Sequence, residues 1–317
     1  MGPPEQLLIP FSFTFQNSTT SDNTLDGTTK VSDTVGSPVF QTANIGKAAD
    51  ATASAAPTYP GVAPSPRTET EPSDTTQLED AFYRSQFNRS GSDYHLLLGQ
   101  PTILPTQSFS VPSNQGQLFV GSSSHARIGL LNYSWLSTHL QQTINQLHIS
   151  SNTLPIILVY NTFLYIGNVN NCWVLGYHGA SSSLNGNGQQ QVQTYAFASY
   201  SDPGIFAPNP GDKISYIQDI QGLSHEIAEW GDDPFVNNVI NPWVTPTAPQ
   251  YGCTSDLETG DPMVGYGFEV KMANGVTYHP EDEVFYSWFA RQSPSISAAG
   301  PTVYTYLNNF AQVAQGC

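Results

Sequence analysis

The chain has 317 residues, enough for one large domain or two small ones, and 38% of them are apolar, so a sizeable core can form. Only 11% are charged, with 9 Lys and Arg against 25 Asp and Glu, a formal charge of -16. That balance excludes the basic footprint of a nucleic-acid partner and disfavours an anionic membrane surface, and no run of 18 apolar residues is present to span a bilayer.

Residues 1–16 (MGPPEQLLIPFSFTFQ) lack the basic and apolar regions of a signal peptide. The polar but weakly charged composition is nonetheless that of an exported protein. A secreted or extracellular location, with the leader absent from this sequence, is the expectation. Residues 17–76 are low in complexity, rich in Pro, Ala, Ser and Thr, and poor in large apolar anchors. Residues 1–76 are therefore expected to be an extended arm, with FSFTF (11–15) and Pro38-Val39-Phe40 adding edge strands to a main domain over 77–317.

Regular structure is expected from Gln77, where Leu78, Ala81 and Phe82 fall at helical spacing. A second helix is predicted over 134–148, with Asn132 or Ser134 as its cap. LPIILVYNTFLYI (154–166) has the composition of a buried strand pair. NCWVLGYHGA (171–180) and QVQTYAFASY (191–200) are predicted as two further strands. A helix follows from Asp219 to Asp232 and stops at Pro234. Residues 234–262 form a long loop, of the kind that is usually functional. Short strands at 264–271 and 275–279, a helix over 281–292 and a strand at 304–308 complete the pattern. Strands mixed with few helices predict a single α+β domain with a mixed or antiparallel sheet packed on the 219–232 helix.

That helix carries His225-Glu226-Ile227-Ala228-Glu229. Residues four apart share a helix face, so His225 and Glu229 point the same way and can hold one metal ion. Glu226, beside the first ligand, is placed to take a proton from an attacking water. Zinc is the first choice of metal. The carboxylate at 229, where a second His would complete H-E-x-x-H, also suits manganese, calcium or iron. A solvated acidic helix face is the bland alternative for the same five residues.

A third ligand is expected from the loop segment Cys253-Thr-Ser-Asp-Leu-Glu-Thr-Gly-Asp261-Pro. Glu258 is favoured, then Asp261, then Asp256, with Asp232 and Asp233 also in reach. His279, in TYHPE, is a candidate oxyanion donor. His178, in GYHGA, could line a cleft edge. For both, a structural histidine is the simpler reading. Cys172, Cys253 and Cys317 match no metal or redox spacing, and their pairing is open. No nucleophile elbow, phosphate loop or dinucleotide fingerprint is present.

LSHEIAEWGDDPFVNNVINPW, DLETGDPMVG, NGVTYHPEDEVFYSWFARQSPS and YHLLLGQPTILPTQ together resemble a bacterial family of exported, zincin-like proteins with the pattern H-E-[IVL]-A-E-x-x-x-D-P. The resemblance covers about residues 77–317. A more distant likeness is to the plant phosphate-induced, exordium-like extracellular proteins, in which the His-Glu pair is largely lost. The resemblance implies a metallopeptidase domain with His225, Glu226, Glu229, Glu258 and Asp261 in its site and a peptide or protein substrate. Two functions follow: a secreted metal-dependent peptidase, or a non-catalytic extracellular domain whose metal orders the 234–262 loop.

Overall fold

Apolar residues crowd EQLLIPFSFTF, and Glu5–Phe15 forms one long strand, β1, with Leu8, Ile9, Phe11, Phe13 and Phe15 fully buried. The computed structural model describes residues 5–45, 75–87, 95–170, 173–206, 217–246, 249, 252–310 and 312–317. Its main sheet has six further strands: β2 (Thr24–Asp26), β3 (Thr102–Ile103), β4 (Gln107–Val111), β5 (Thr153–Tyr160), β6 (Gly176–Leu184) and β7 (Gln190–Tyr200). The order runs β6-β7-β5-β1-β2, with β3 and β4 also paired along β1. β1, β3, β4, β5 and β7 run parallel, while β2 and β6 are antiparallel to their neighbours. The fold is thus mixed α+β with a mixed sheet.

β1 departs from the expected arm and edge strands. It lies inside the sheet, hydrogen-bonded to β5 over Glu5–Pro10 and to β4 over Phe11–Phe15. Burial on both faces explains why its sequence reads as a nearly continuous apolar run. Val39 and Phe40 are buried in the core without forming a strand. The part of the expected arm at 46–74 lies outside the described residues.

The period of two along each strand sorts the sheet into two faces. One face presents Leu8, Ile156, Leu158, Ala196 and Ala198 to two helices, α1 (Leu78–Phe87) and α3 (Gln221–Asp232). The other presents Ile9, Ile157, Val159 and Phe197 to α2 (Tyr133–Gln146), through Leu136, Leu140 and Ile144. Asn132 caps α2 by accepting the Trp135 N–H at 3.1 Å. The expected pair 154–166 is split between sheets. Asn161 takes φ 45, and Thr162–Tyr165 joins a three-stranded sheet with Arg127–Asn132 and Gly116–Val120.

The C-terminal region is less regular than its sequence suggests. The helix expected over 281–292 is confined to Tyr286–Phe289, because Glu281, Asp282 and Glu283 run extended and buried instead. The strands expected at 264–271 and 275–279 shrink to Val270–Lys271 and Thr277–Tyr278. Residues 304–308 contribute only an isolated bridge, Thr305 to Val284. Asp282 holds this segment by accepting from Thr305 Oγ1, Asn309 Nδ2 and the Leu307 N–H at 2.7, 2.7 and 2.8 Å. A disulfide joins Cys253 to Cys317, with Cα atoms 6.3 Å apart, while Cys172 lies outside the described residues. Among the described residues no helix is long and apolar enough to cross a membrane.

Candidate metal centre

Register across β5, β7 and β6 lines up Ile156, Ala196 and His178 in one row, and Leu158, Ala198 and Gly176 in the next. His178 therefore faces α3, and the small residues around it let the helix approach. A Cβ on Gly176 would fall 2.6 Å from Glu226 Cγ, so only glycine admits that side chain. On α3, Leu223 and Ile227 are buried in the core, as is Ile220 just before it. His225, Glu226 and Glu229 turn toward β6 and the 258–261 loop.

His225 Nε2 lies 3.1 Å from Glu229 Oε1, 3.7 Å from Asp261 Oδ1 and 3.9 Å from Glu226 Oε1. Its other nitrogen, Nδ1, donates to Glu281 Oε2 at 2.7 Å. Glu281 is 1% exposed and is fixed by its own N–H, which donates to Ser224 Oγ at 3.0 Å. This pairing fixes the ring and turns Nε2 to the carboxylates. Burial lowers the imidazole, but their charges together with that of Glu281 raise it well above its ordinary range. A histidine so oriented by a carboxylate is the common form of a metal ligand.

His178 faces the same carboxylates from the sheet. Its Nδ1 lies 3.3 Å from Glu226 Oε2, 3.5 Å from Glu229 Oε2 and 4.0 Å from Glu258 Oε2. Its Nε2 lies 3.2 Å from the Asp233 carbonyl oxygen. Asp233 holds its own loop, its carboxylate accepting the N–H groups of Asn237 and Asn238 at 3.0 and 2.9 Å. The 258–261 loop closes over the helix through Gly260, whose N–H donates to Glu229 Oε1 at 3.1 Å. A Cβ there would lie 2.7 Å from His225 Cγ, so the loop lies flat on the ring only because residue 260 is glycine.

Burial opposes charge throughout the cluster. It pushes the Glu258 carboxyl up to about 11, with the Glu229 charge adding to the effect, and Glu281 up to about 7 against the pull of His225. It also opposes charge on Glu229, but His225 and His178 outweigh it and hold that carboxyl well below the ordinary range. Burial lowers His178 too, yet its bonds to Glu226 and Glu229 carry it up to about 11. Glu258 Oε2 is buried and has no hydrogen-bond partner. Carboxylates thus outnumber histidines in a mostly buried site and an oxygen is left unsatisfied, a cost that a bound cation would relieve. Two three-ligand sets stand out, His225–Glu229–Asp261 and His178–Glu226–Glu229, the ligand atoms of each lying within 4.8 Å of one another. One nitrogen with two carboxylates suits zinc or manganese, and the oxygens admit calcium.

Five of the six sequence-predicted site residues thus come together: His225, Glu226, Glu229, Glu258 and Asp261. His279 does not join them. Its Nδ1 pairs with Asp219 Oδ2 at 2.6 Å, and its Nε2 lies 3.9 Å from Glu269 Oε1. The lesser candidates are engaged elsewhere, Asp256 with Thr254 Oγ1 and Asp232 with Gln86 Nε2. Glu281 was not foreseen. Its only signal was an acidic residue two positions after His279, which reads equally well as the start of a helix.

No family model matches this chain, and no curated protein or solved structure is significantly similar to it.

Proposed function

We propose that this protein is a secreted, metal-dependent peptidase of zincin-like character, with zinc as the first metal and manganese or calcium as alternatives. The observation that carries this reading is the orientation of His225. Nδ1 is fixed by Glu281, and Nε2 faces Glu229 and Asp261. His225, Glu229 and Asp261 would hold the ion, with Glu258 beside them. Bound there, zinc would lower the pKa of its water to about 7, and any of these ions would polarise a carbonyl. Glu226 Oε1, on the His225 side, accepts the proton of the attacking water and returns it to the leaving amine nitrogen. Among the described residues β6 is the outermost strand of the sheet and carries His178, so an extended peptide can pair along it and lie across the site. The Cys253–Cys317 disulfide supports export to an oxidising compartment.

A second reading, a non-catalytic domain with a structural ion, is favoured by the bonds from the Gly260 and Asp261 N–H groups to Glu229, which tie the loop to the helix. A broad peptide library offered to the full chain, with zinc, manganese and calcium each supplied at several pH values, separates the two. Cleavage that chelation abolishes supports the peptidase. Stoichiometric metal binding with no cleavage under any condition overturns it and leaves the structural ion.

A further inference from the structure

From the way two carboxylates divide their oxygens, we infer that the cluster holds two divalent cations, the second at His178 Nδ1, Glu226 Oε2 and Glu229 Oε2, with Glu258 completing it. This rests on the metal-binding reading of the same site and extends it. Glu229 turns Oε1 to His225 and Oε2 to His178. Glu226 does the same, with Oε1 toward His225 and Oε2 toward His178. A single ion would draw these oxygens to one focus. Here they are drawn to two.

The tautomer of His178 adds a second argument. The Asp233 carbonyl can only accept, so the hydrogen of a neutral His178 is on Nε2. Nδ1 is thus the nitrogen that faces Glu226, Glu229 and Glu258, all of them acceptors when ionised, and without a cation it carries the proton that bonds to them. A proton on Nδ1 points to one of those oxygens at a time and leaves Glu258 Oε2 unsatisfied, as observed. A cation among His178, Glu226 and Glu229, whose ligand atoms lie within 4.8 Å of one another, satisfies these three together, with Glu258 Oε2 at its edge, 4.0 Å from His178 Nδ1.

Charge gives a third argument. Glu226, Glu229, Glu258 and Asp261 carry four negative charges when ionised. One divalent ion leaves two of these uncompensated, and only Asp261, with its side chain 49% exposed, has water to screen it, whereas two ions neutralise the four and Glu281 stays paired with His225. Hydrolases with paired ions set about 3.5–4 Å apart stabilise the attacking and leaving ends of the scissile group together. Glu226 keeps its part in this arrangement, with Oε2 a ligand and Oε1 still the proton acceptor.

The test is the metal stoichiometry of the full chain, stripped with chelator and reloaded separately with zinc and manganese. It is read by elemental analysis and by titration calorimetry. Wild type should take up two equivalents. His178→Ala and Glu258→Gln should each take up one tightly, with affinity at the second position lowered 100-fold or more, and His178→Gln should behave like His178→Ala. Manganese-loaded wild type should give an exchange-coupled paramagnetic resonance spectrum, a result that needs no variant to fold. One equivalent in wild type with an isolated-ion spectrum overturns the second position and leaves the first. Two equivalents that persist in folded His178→Ala and His178→Gln also overturn it. No uptake by wild type overturns the metal reading as a whole, and the second position with it.

Discussion

Glu281 accepts a hydrogen bond from His225 Nδ1 at 2.7 Å, from a strand segment that lies 56 residues further along the chain. The bond fixes which ring nitrogen faces the carboxylates, and its charge makes that nitrogen a better donor to a cation. Glu281→Gln preserves the shape and an acceptor, so metal affinity should fall about tenfold, whereas Glu281→Ala should cost about 100-fold. Competition against a chromophoric chelator measures both. Unchanged affinity in the alanine variant would show that His225 is oriented by something else.

Glu226→Gln retains size and hydrogen-bonding shape but cannot take a proton. Peptide turnover should drop about 100-fold or more while the ion held by His225, Glu229 and Asp261 stays bound. His225→Ala should instead lose that ion. Turnover and elemental analysis on the same preparations separate the outcomes, and full activity in Glu226→Gln would remove it from the proton-transfer role.

Gly260→Ala drives a methyl group into the His225 ring. The loop must lift, breaking the bond from the Gly260 N–H to Glu229. Overpacking of this kind costs about 1–3 kcal/mol. The apo protein should melt earlier and the metal should bind more weakly, and an unchanged melting curve together with unchanged affinity would contradict the close approach.

Glu79, on α1, is 1% exposed, and neither of its carboxylate oxygens has a hydrogen-bond partner. Burial raises its carboxyl well above the ordinary value, and the Asp232 charge adds to this. The native state therefore keeps a proton that the unfolded chain has lost. Below the ordinary carboxylate pKa the two states are alike, and above it Glu79 destabilises the fold by about 1.4 kcal/mol for each pH unit until the native group ionises. Glu79→Gln removes this dependence. The variant should match wild type in acid and exceed it in stability at neutral pH, as measured by urea unfolding across the range. An equal offset at every pH would mean that titration of Glu79 is not the cause.

The Cys253–Cys317 bond closes a loop with a sequence separation of 64. On the chain-entropy estimate, replacing both cysteines by serine should cost about 4 kcal/mol. Beyond this global loss, hydrogen exchange should quicken most in the segment around Trp243, which pairs with Cys253–Thr254 and bridges to Gly316. Uniform quickening would show that the bond does not act locally.

The helix-borne half of the centre was legible because a spacing of four residues fixes a shared face in any α-helix. Glu258 and Asp261 were legible as acids in a loop that needed a reason to be ordered. His178 was recognised only as a residue near a cleft, because its role depends on the pairing of β6 with β7 and the packing of α3 upon them, which no local pattern encodes. Glu281 was masked by its neighbours. Three acids before an apolar run suggest the first turn of a helix, yet here each is buried and extended. The N-terminal strand misled for a related reason, since FSFTF shows a β-former without showing which strands will flank it.

The place of β1 also bears on how the molecule comes to be made. Synthesis delivers this strand well before its partners in β4 and β5, Phe11 pairing with Gln107 and Glu5 with Thr153. At ordinary ribosomal rates the wait is on the order of ten seconds. Throughout that interval only the short strand β2 can pair with this phenylalanine-rich segment, over Ser12–Thr14. A newborn chain in this state is a ready client for a holding chaperone. The interior of the sheet is thus built around a strand made long before those that flank it.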